Sequence, residues 1–364
     1  MSPARARTMR SPSTGEVEVP FSAHFHLGRS GRHPDGVPAE GLRMSRRGES
    51  RPFSHLPVMR QEVIRLLDPV PDGVVLDATV GGGGHAAALL EARSSLQVVG
   101  LDQDPVALAA ARETLARFQP QAQLVRARFD ELDDVLDRLG VGRLSGALFD
   151  LGVSSPQFDR PERGFSYRGD GPLDMRMDPH QPRTAADVVN ESSETELARM
   201  FAANGEVRFA RRIARAIIAA RPLVTTRQLA DVVRSAIPAP ARRTGGHPAR
   251  RIFQAIRIAV NDELVILPGA LDAAIDRLAP AGRCVVLAYH SGEDRIVKER
   301  FRAAAAGGCV CPPGLPCTCG AVPLVRLLFR GARKPSAEEV SVNPRAESAR
   351  LRAVERLAVP GSGA

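Results

Sequence analysis

The stretch Val74-Val-Leu-Asp-Ala-Thr-Val-Gly-Gly-Gly-Gly-His85 decides the fold, because an apolar strand runs directly into four consecutive glycines and a histidine. Glycine permits positive φ and lets a ligand lie against the backbone. Gly82, Gly84 and Ala87 match the pattern G-x-G-x-x-G/A, which alone is only a weak indicator of dinucleotide binding. The flanking strand and helix favour a cofactor loop over a tight turn without a ligand. Two cofactors need glycine at this place: a dinucleotide, through its pyrophosphate, and S-adenosylmethionine (AdoMet).

Strands and helices alternate around this loop, which predicts βαβ units and a parallel sheet. The elements expected before residue 156 are helix Val58–Leu67, strand Val74–Ala78, a helix from His85, strand Val98–Leu101, a helix from Pro105, strand Gln123–Ala127, a helix near Glu131 and strand Gly146–Asp150. We therefore expect an α/β fold with a doubly wound, Rossmann-like sheet.

Helical patterns replace the alternation in residues 157–245, which we interpret as an inserted helical domain for substrate recognition. Its helices are expected near Glu194–Ala203, Arg208–Ala220 and Thr226–Ser235. Segments 52–156 and 246–364 are then expected to form one sheet domain. The later segment supplies a long helix Pro248–Leu267, strand Arg283–Tyr289, helix Asp294–Ala305, a strand near Val322–Phe329 and a final helix near Arg345–Leu357.

Acidic residues follow the predicted strands at the edge where a cofactor would bind. Asp102 ends the second strand, where a carboxylate accepts hydrogen bonds from ribose hydroxyls of either cofactor. Asp77 precedes the glycines, where an anion would repel a pyrophosphate but attract the sulfonium and ammonium of AdoMet. Asp130 and Asp150 follow the third and fourth strands. Four carboxylates at one sheet edge favour the cationic cofactor, AdoMet.

Composition narrows the class of protein. The chain has 364 residues and a formal net charge of +9, which favours an anionic partner such as nucleic acid. Residues 1–51 are rich in Arg, Ser, Pro and Gly without periodicity, and we interpret them as a disordered basic extension. No apolar run is long enough for a membrane span or a signal core, so we expect no membrane association and a cytoplasmic location.

Seven longer strings resemble one family, the MraW (RsmH) family of 16S rRNA cytosine-N4 methyltransferases. The strings are Asp77–His85 (DATVGGGGH), Leu148–Gln157 (LFDLGVSSPQ), Arg163–Ser166 (RGFS), Gly171–Asp178 (GPLDMRMD), His247–Ile258 (HPARRIFQAIRI), His290–Val297 (HSGEDRIV) and Asn343–Arg352 (NPRAESARLR). The resemblance implies a class I AdoMet-dependent methyltransferase sheet with an inserted helical domain. It further implies methyl transfer to the N4 amine of a cytidine in the decoding centre of the small ribosomal subunit.

The resemblance also implies the cofactor contacts. The residues that match the family's contacts are Gly83, Gly84 and His85 in the loop, Asp102 at the ribose, Phe129 beside the adenine, and Asp150 and Gln157 near the methionine end.

Asp150 is the candidate catalytic residue. The exocyclic amine of cytosine is a poor nucleophile, because its lone pair conjugates with the ring. An acceptor that holds one N–H would help this nitrogen to attack the methyl group, and Asp150 is the best placed; its other interpretation is to hold the cofactor's ammonium. Methylation at carbon five would need a cysteine nucleophile, and Cys284 lies within an apolar strand.

The remaining candidates are a cysteine group and several cations. Cys309, Cys311, Cys317 and Cys319 form two C-x-C pairs in a Pro/Gly loop, a set that fits either a structural zinc site or reduced thiols. His290 either approaches the substrate base or caps the next helix. The arginines that are candidates for phosphate contacts are Arg250, Arg251 and Arg257.

Two other functions compete with an RNA methyltransferase: an NAD-dependent oxidoreductase on a similar sheet, and a catalytically idle RNA-binding assembly factor. The expected partner is 16S rRNA in the small ribosomal subunit. A homo-oligomer is compatible with these patterns, but none of them determines the number of subunits.

Overall fold

The computed structural model describes residues 57–242, 247–312 and 318–358 of the chain. Contacts divide the chain into a unit Met1–Pro52 and a unit Phe53–Ala364, and the described residues all belong to the second. The predicted extension 1–51 therefore lies outside the described residues. No helix within the described ranges is long and apolar enough to cross a membrane.

A seven-stranded sheet organises the second unit. Its strands are β1 (Gly73–Asp77), β2 (Leu96–Asp102), β3 (Ala122–Arg126), β4 (Leu144–Asp150), β5 (Leu278–Ala288), β6 (Val325–Leu327) and β7 (Arg350–Arg356). They lie in the order β3-β2-β1-β4-β5-β7-β6; β1 to β5 are parallel, and β7 is antiparallel to both of its neighbours. The predicted α/β class and Rossmann-like sheet are confirmed, with the order expected of a class I methyltransferase sheet.

Helices cover both faces of this sheet. The helices are α1 (Arg60–Leu67), α2 (Gly84–Ala92), α3 (Pro105–Leu115), α4 (Leu132–Arg138), α5 (Ser155–Asp159), α6 (Ala185–Glu191), α7 (Glu194–Ala203), α8 (Ala210–Ala219), α9 (Thr226–Ala236), α10 (Ala239–Arg242), α11 (Ala249–Asn261), α12 (Glu263–Arg277), α13 (Ser291–Ala306) and α14 (Ala337–Val342). One apolar cluster joins the sheet to α1, α2 and α3, and a second joins it to α4, α12 and α13. Strands β2 and β4 are accordingly apolar almost throughout, as parallel strands covered on both faces must be.

A third apolar cluster lies in the region that the sequence marks as an insertion. It contains buried side chains from α6, α7, α8 and α9, which confirms the helices predicted there. Helix α11 also contributes to it, through Ile252, Phe253 and Ile256. The boundaries 157–245 remain a prediction, and the apolar cluster itself extends beyond them to Val260.

The predicted final helix near Arg345–Leu357 is wrong, because β7 occupies Arg350–Arg356. The residues there include good helix formers, but Leu351 and Ala353 alternate with more exposed neighbours and are buried against the sheet. Six residue pairs join this strand to β5. Tertiary pairing therefore overrides local propensity.

The predicted single helix Pro248–Leu267 is also wrong, because Asp262 interrupts it and two helices form. That residue has φ 53° and ψ 25°, a left-handed conformation that ends α11 and precedes α12. The buried Asn261 fixes the break, since its amide donates to the carbonyl of Met175 and accepts from the backbone N–H of Met177, both at 2.8 Å. Helix α11 thereby belongs to the helical cluster, whereas α12 packs on the sheet.

Candidate active site

The glycine loop connects β1 to α2, and the chain itself requires three of its four glycines. Gly81 and Gly83 have φ of 52° and 81°, which L side chains rarely adopt. A Cβ on Gly84 would lie 2.7 Å from the ring of Pro57. A Cβ on Gly82 would have no described atom within 4 Å. Backbone conformation and packing therefore require glycine at three of the positions, whereas Gly82 leaves room for a side chain.

Asp102 ties the second strand to this loop. Its carboxylate accepts hydrogen bonds from the backbone N–H of Gly81 at 3.0 Å and of Asp104 at 2.9 Å. Burial raises the pKa of Asp102 to about 6. Each carboxylate oxygen accepts one of these bonds and has a second lone pair, so the group can still accept bonds from a diol.

Asp77 and Asp150 end the neighbouring strands β1 and β4, and they form an acidic pair at the sheet edge. Asp77 is 1% exposed, and burial together with the charge of Asp150 raises its pKa to about 7. Burial likewise raises the pKa of Asp150 to about 7. The backbone N–H of Asp150 donates to the hydroxyl of Thr79 at 2.7 Å, which fixes the two strand ends together. A buried carboxyl group at Asp77, next to a partly buried one at Asp150, fits a cationic ligand.

Tyr289 and His85 flank the carboxylate of Asp150. The Tyr289 hydroxyl donates to Oδ1 at 2.6 Å, and the His85 Nε2 lies 3.6 Å from Oδ2. Neither ring nitrogen of His85 has a hydrogen-bond partner among the described residues, although the side chain is buried. Burial lowers the pKa of His85 to about 4, so the ring is neutral at pH 7. A buried imidazole without partners fits a polar ligand atom at this place.

Sequence reasoning missed Tyr289, although its position was informative. It follows β5 directly, so it emerges at the same sheet edge as Asp150. An aromatic residue after a strand is common, and nothing local marks its hydroxyl as a partner of the acid.

Gln157 hydrogen-bonds to Ser154 and Asp104. Its side chain is 3% exposed; its Nε2 donates to Asp104 at 2.9 Å, and its Oε1 accepts from the backbone N–H of Ser154 at 3.0 Å. Arg163 donates to the same Asp104 oxygen at 2.8 Å. Gln157 therefore positions Asp104, which in turn donates its backbone N–H to Asp102. Sequence reasoning missed Asp104 and Arg163 because a buried ion pair leaves no local pattern.

Phe129 and Asp130 lie after β3. Phe129 is partly buried and packs edge-on against Phe149, with ring centroids 6.1 Å apart. Asp130 forms a two-point ion pair with Arg128, at 2.9 and 2.6 Å. The fourth acid of the predicted set is thus neutralised by its own neighbour, and three carboxylates remain for a cationic ligand.

His290 and Cys284 both take structural positions. The Nδ1 of His290 accepts from the backbone N–H groups of Gly292 and Glu293 at 3.2 and 3.4 Å, so the helix-capping interpretation is confirmed. Cys284 is fully buried in β5, and burial raises the pKa of its thiol. A buried thiol that resists ionisation cannot serve as a nucleophile towards a base.

Comparison with known proteins identifies the family. The model of the MraW methylase family matches residues 52–357. This chain belongs to the MraW methylase family. Curated relatives named Ribosomal RNA small subunit methyltransferase H include proteins of Heliobacterium modesticaldum (52% identical; 84% of this chain, 99% of the relative), Thermobifida fusca (53%; 86% and 96%) and Mycobacterium sp. strain KMS (52%; 94% and 93%).

Membership of a methylase family gives no support to the oxidoreductase or to the idle assembly factor. Family membership also explains why two acids lie together at this edge, because methylases use a positively charged methyl donor.

We expect the glycines of this methylase loop to differ sharply in their tolerance of alanine. Gly83→Ala should destabilise the fold by about 1–3 kcal/mol, because a non-glycine residue would be held at positive φ against Leu115. Gly82→Ala should not destabilise the fold. Because alanine restricts the unfolded chain, the free energy of unfolding should rise by up to about 1 kcal/mol. Urea unfolding of both variants measures the difference. Equal destabilisation by the two substitutions would contradict the loop geometry.

Proposed function

We propose that this chain transfers the methyl group of AdoMet to the exocyclic N4 amine of a cytidine in the decoding centre of 16S rRNA. The acidic pair Asp77 and Asp150 beside the glycine loop carries the proposal, because a buried and a partly buried carboxyl group, both with raised pKa, favour a cationic methyl donor. The names of the curated relatives support an rRNA substrate in the small subunit. Choice of the amine over carbon five is supported by the burial of Cys284. The cytidine N4 and its place in the decoding centre rest on the family resemblance of the sequence.

The residues present fit AdoMet at this edge of the sheet. Asp102 would accept hydrogen bonds from the ribose hydroxyls, and Phe129 would lie against the adenine. The loop residues Gly83, Gly84 and His85 would line the cofactor, with the free ring nitrogens of His85 available to its polar groups. When bound, AdoMet supplies a methyl group activated by its sulfonium. Gln157 contributes through Asp104, as its hydrogen bonds indicate.

Asp150 would act on the amine of the substrate. Tyr289 engages Oδ1, so Oδ2 is the oxygen that remains for a ligand N–H. Oδ2 would accept a hydrogen bond from the cytosine N–H while the nitrogen lone pair would form the new bond to the methyl carbon, whose bond to the sulfonium sulfur would break with its electron pair left on sulfur. The proton then passes to the carboxylate and on to water. The raised pKa of Asp150 suits a proton acceptor that works near neutral pH. The same carboxylate can instead hold the cofactor's ammonium, and this alternative stays open.

We further propose that the helical region 157–245 recognises the RNA and that the protein works in the cytoplasm on the small ribosomal subunit. The net charge of +9 supports an anionic partner. We also propose that the cysteine loop holds a structural zinc ion. The sulfurs of Cys309, Cys311 and Cys319 lie within 4.8 Å of one another, while Cys317 lies outside the described residues.

The reaction is tested by mass spectrometry of small-subunit rRNA from cells with and without this protein. We expect one N4-methylcytidine to disappear in its absence. In a reconstituted reaction Asp150→Asn should lower the rate about 100-fold or more, because an amide cannot take the proton. Asp130→Asn is the matched control, since that acid is already paired with Arg128. Loss of 5-methylcytidine instead, or methylation of DNA alone, would refute the assignment.

We expect AdoMet affinity to rise with pH between about pH 5.5 and about pH 7. Without ligand, the raised pKa values of Asp77 and Asp150 favour the protonated forms, so folded stability falls as pH rises towards 7. A cation requires the ionised forms, so its binding releases protons. The affinity then rises up to about tenfold per pH unit for each proton released. Calorimetry in two buffers counts these protons. Asp77→Asn should flatten the profile, and a flat profile in the unsubstituted protein would contradict the acidic pair.

We expect about one zinc ion per chain in protein purified without chelator. Four thiolates make a closed tetrahedral site, and hydrogen bonding from the backbone N–H of Thr318 already lowers the pKa of Cys311. Elemental analysis measures the metal, and Cys311→Ser should reduce it with a fall in melting temperature. Cys284→Ala controls for loss of a thiol elsewhere and should leave the zinc content unchanged. Metal-free protein with unchanged melting would show that the loop holds reduced thiols.

A further inference from the structure

A groove of about 530 Å³ lies on the helical region and is lined by Tyr167, Arg168, His247 and Arg250. Its wall is a stack of rings. Tyr167 and His247 are parallel within 13°, with centroids 4.4 Å apart. Behind them the buried Phe253 meets Tyr167 edge-on at 5.8 Å. The stack is therefore anchored in the apolar cluster, and its outermost ring, His247, is exposed.

The two arginines of the groove have no acidic partner in the described part of the chain. Neither Arg168 nor Arg250 forms an ion pair with any residue that the structure describes, and both are exposed. The other two arginines singled out on this helix differ: Arg257 pairs with Glu263 at 2.8 Å, and Arg251 lies 3.6 Å from Glu206. Of the three predicted phosphate contacts, Arg250 is thus the one without an ion pair among the described residues.

The position of Arg250 strengthens this contrast. It lies in the first turn of α11, which contains no acidic residue. The helix dipole is positive at that end, so a cation there is unfavourable and a bound anion is favourable. The groove is therefore suited to an anion that reaches both guanidinium groups.

His247 is held as a neutral, planar surface. Its Nδ1 accepts from the backbone N–H of Ala249 at 3.2 Å, which fixes the ring. Partial burial, with the charges of Arg234 and Arg168, lowers its pKa. A neutral ring with an exposed face stacks readily on a nucleobase, and a stack between two cations suits a nucleotide.

The groove is linked to the active site through one segment of chain. Arg163 contacts Asp104 behind the cofactor loop, and Tyr167 follows four residues later. Four residues span at most about 14 Å. The Cα atom of Tyr167 therefore lies within about 14 Å of that of Arg163, the residue that contacts Asp104.

We propose that this groove binds an unpaired nucleotide of the substrate RNA close to the target cytidine. Its base stacks on His247, and its flanking phosphates contact Arg168 and Arg250. This inference rests on the proposed function, because it takes the partner to be RNA. It adds a site that positions the RNA strand and lies apart from the methyl-transfer residues.

The test compares binding to small ribosomal subunits across a series of salt concentrations. We expect Arg168→Ala/Arg250→Ala to weaken binding at least about tenfold and to lower the slope of log affinity against log salt by about 1.4, the loss of two single-strand phosphate contacts. Arg112→Ala/Arg138→Ala removes two exposed charges from α3 and α4 and should leave both quantities unchanged. AdoMet affinity should be the same in all of them.

Two variants of His247 isolate the stacking. His247→Asn keeps a helix-capping acceptor but removes the ring, so it should weaken binding about fivefold or more without changing the salt slope. His247→Phe keeps a ring and should restore most of the affinity. Melting temperatures verify that the variants are folded.

The outcomes separate the two proposals. If the unsubstituted protein neither binds nor methylates small subunits, the proposed function fails. If it does both, and the groove variants match the Arg112→Ala/Arg138→Ala control, the groove is not an RNA site. Loss of phosphopeptide binding with unchanged subunit binding would assign the groove to a protein partner and overturn the inference.

Discussion

The structure depends most on two carboxyl groups, those of Asp77 and Asp150, which lie together at one edge of the sheet. Asp77 and Asp150 are brought together because β1 and β4 are adjacent and parallel, so their carboxyl ends meet. Neither can ionise fully near neutral pH without a counter-charge, as their raised pKa values indicate. The fold supplies no cation at this place among the described side chains that contact the pair. The strand order thus creates a place that favours a positive ligand, which agrees with the proposed cofactor AdoMet.

Hydrogen bonds to Asp104 hold the residues at the sheet edge in place. Asp104 receives bonds from Gln157 and Arg163, and its backbone N–H reaches Asp102. Arg163 also donates to the carbonyl groups of Arg176 and Met177. The cofactor edge and the start of the helical region therefore share one buried ion pair. Removal of one partner of such a pair is costly, because the other stays buried without its counter-charge.

Much of the architecture and of the acidic edge could be predicted from the sequence. Strands β1, β2 and β4 carry mostly apolar runs that end in Asp77, Asp102 and Asp150, so local pattern and final structure agree there. The same reasoning failed at β7, where burial of Leu351 and Ala353 depends on a strand about seventy residues earlier. It also failed at Asp262, whose left-handed backbone is stabilised by the contacts of Asn261 with Met175 and Met177. Tyr289 and Arg163 were missed for the same reason: their partners are distant in sequence.

The late position of β7 has a consequence for how the chain is made. Strand β5 pairs with β4 on one side and with β7 on the other. During synthesis β5 emerges long before Arg350–Arg356 does, so the nascent sheet carries an unpaired hydrogen-bonding edge for several seconds at ordinary translation rates of about 5–20 residues per second. Exposed edges of this kind invite pairing with other chains. Strand β5 therefore stays unpaired on this side until Arg350–Arg356 has been made, and a chain cut short before residue 350 would keep β5 open there.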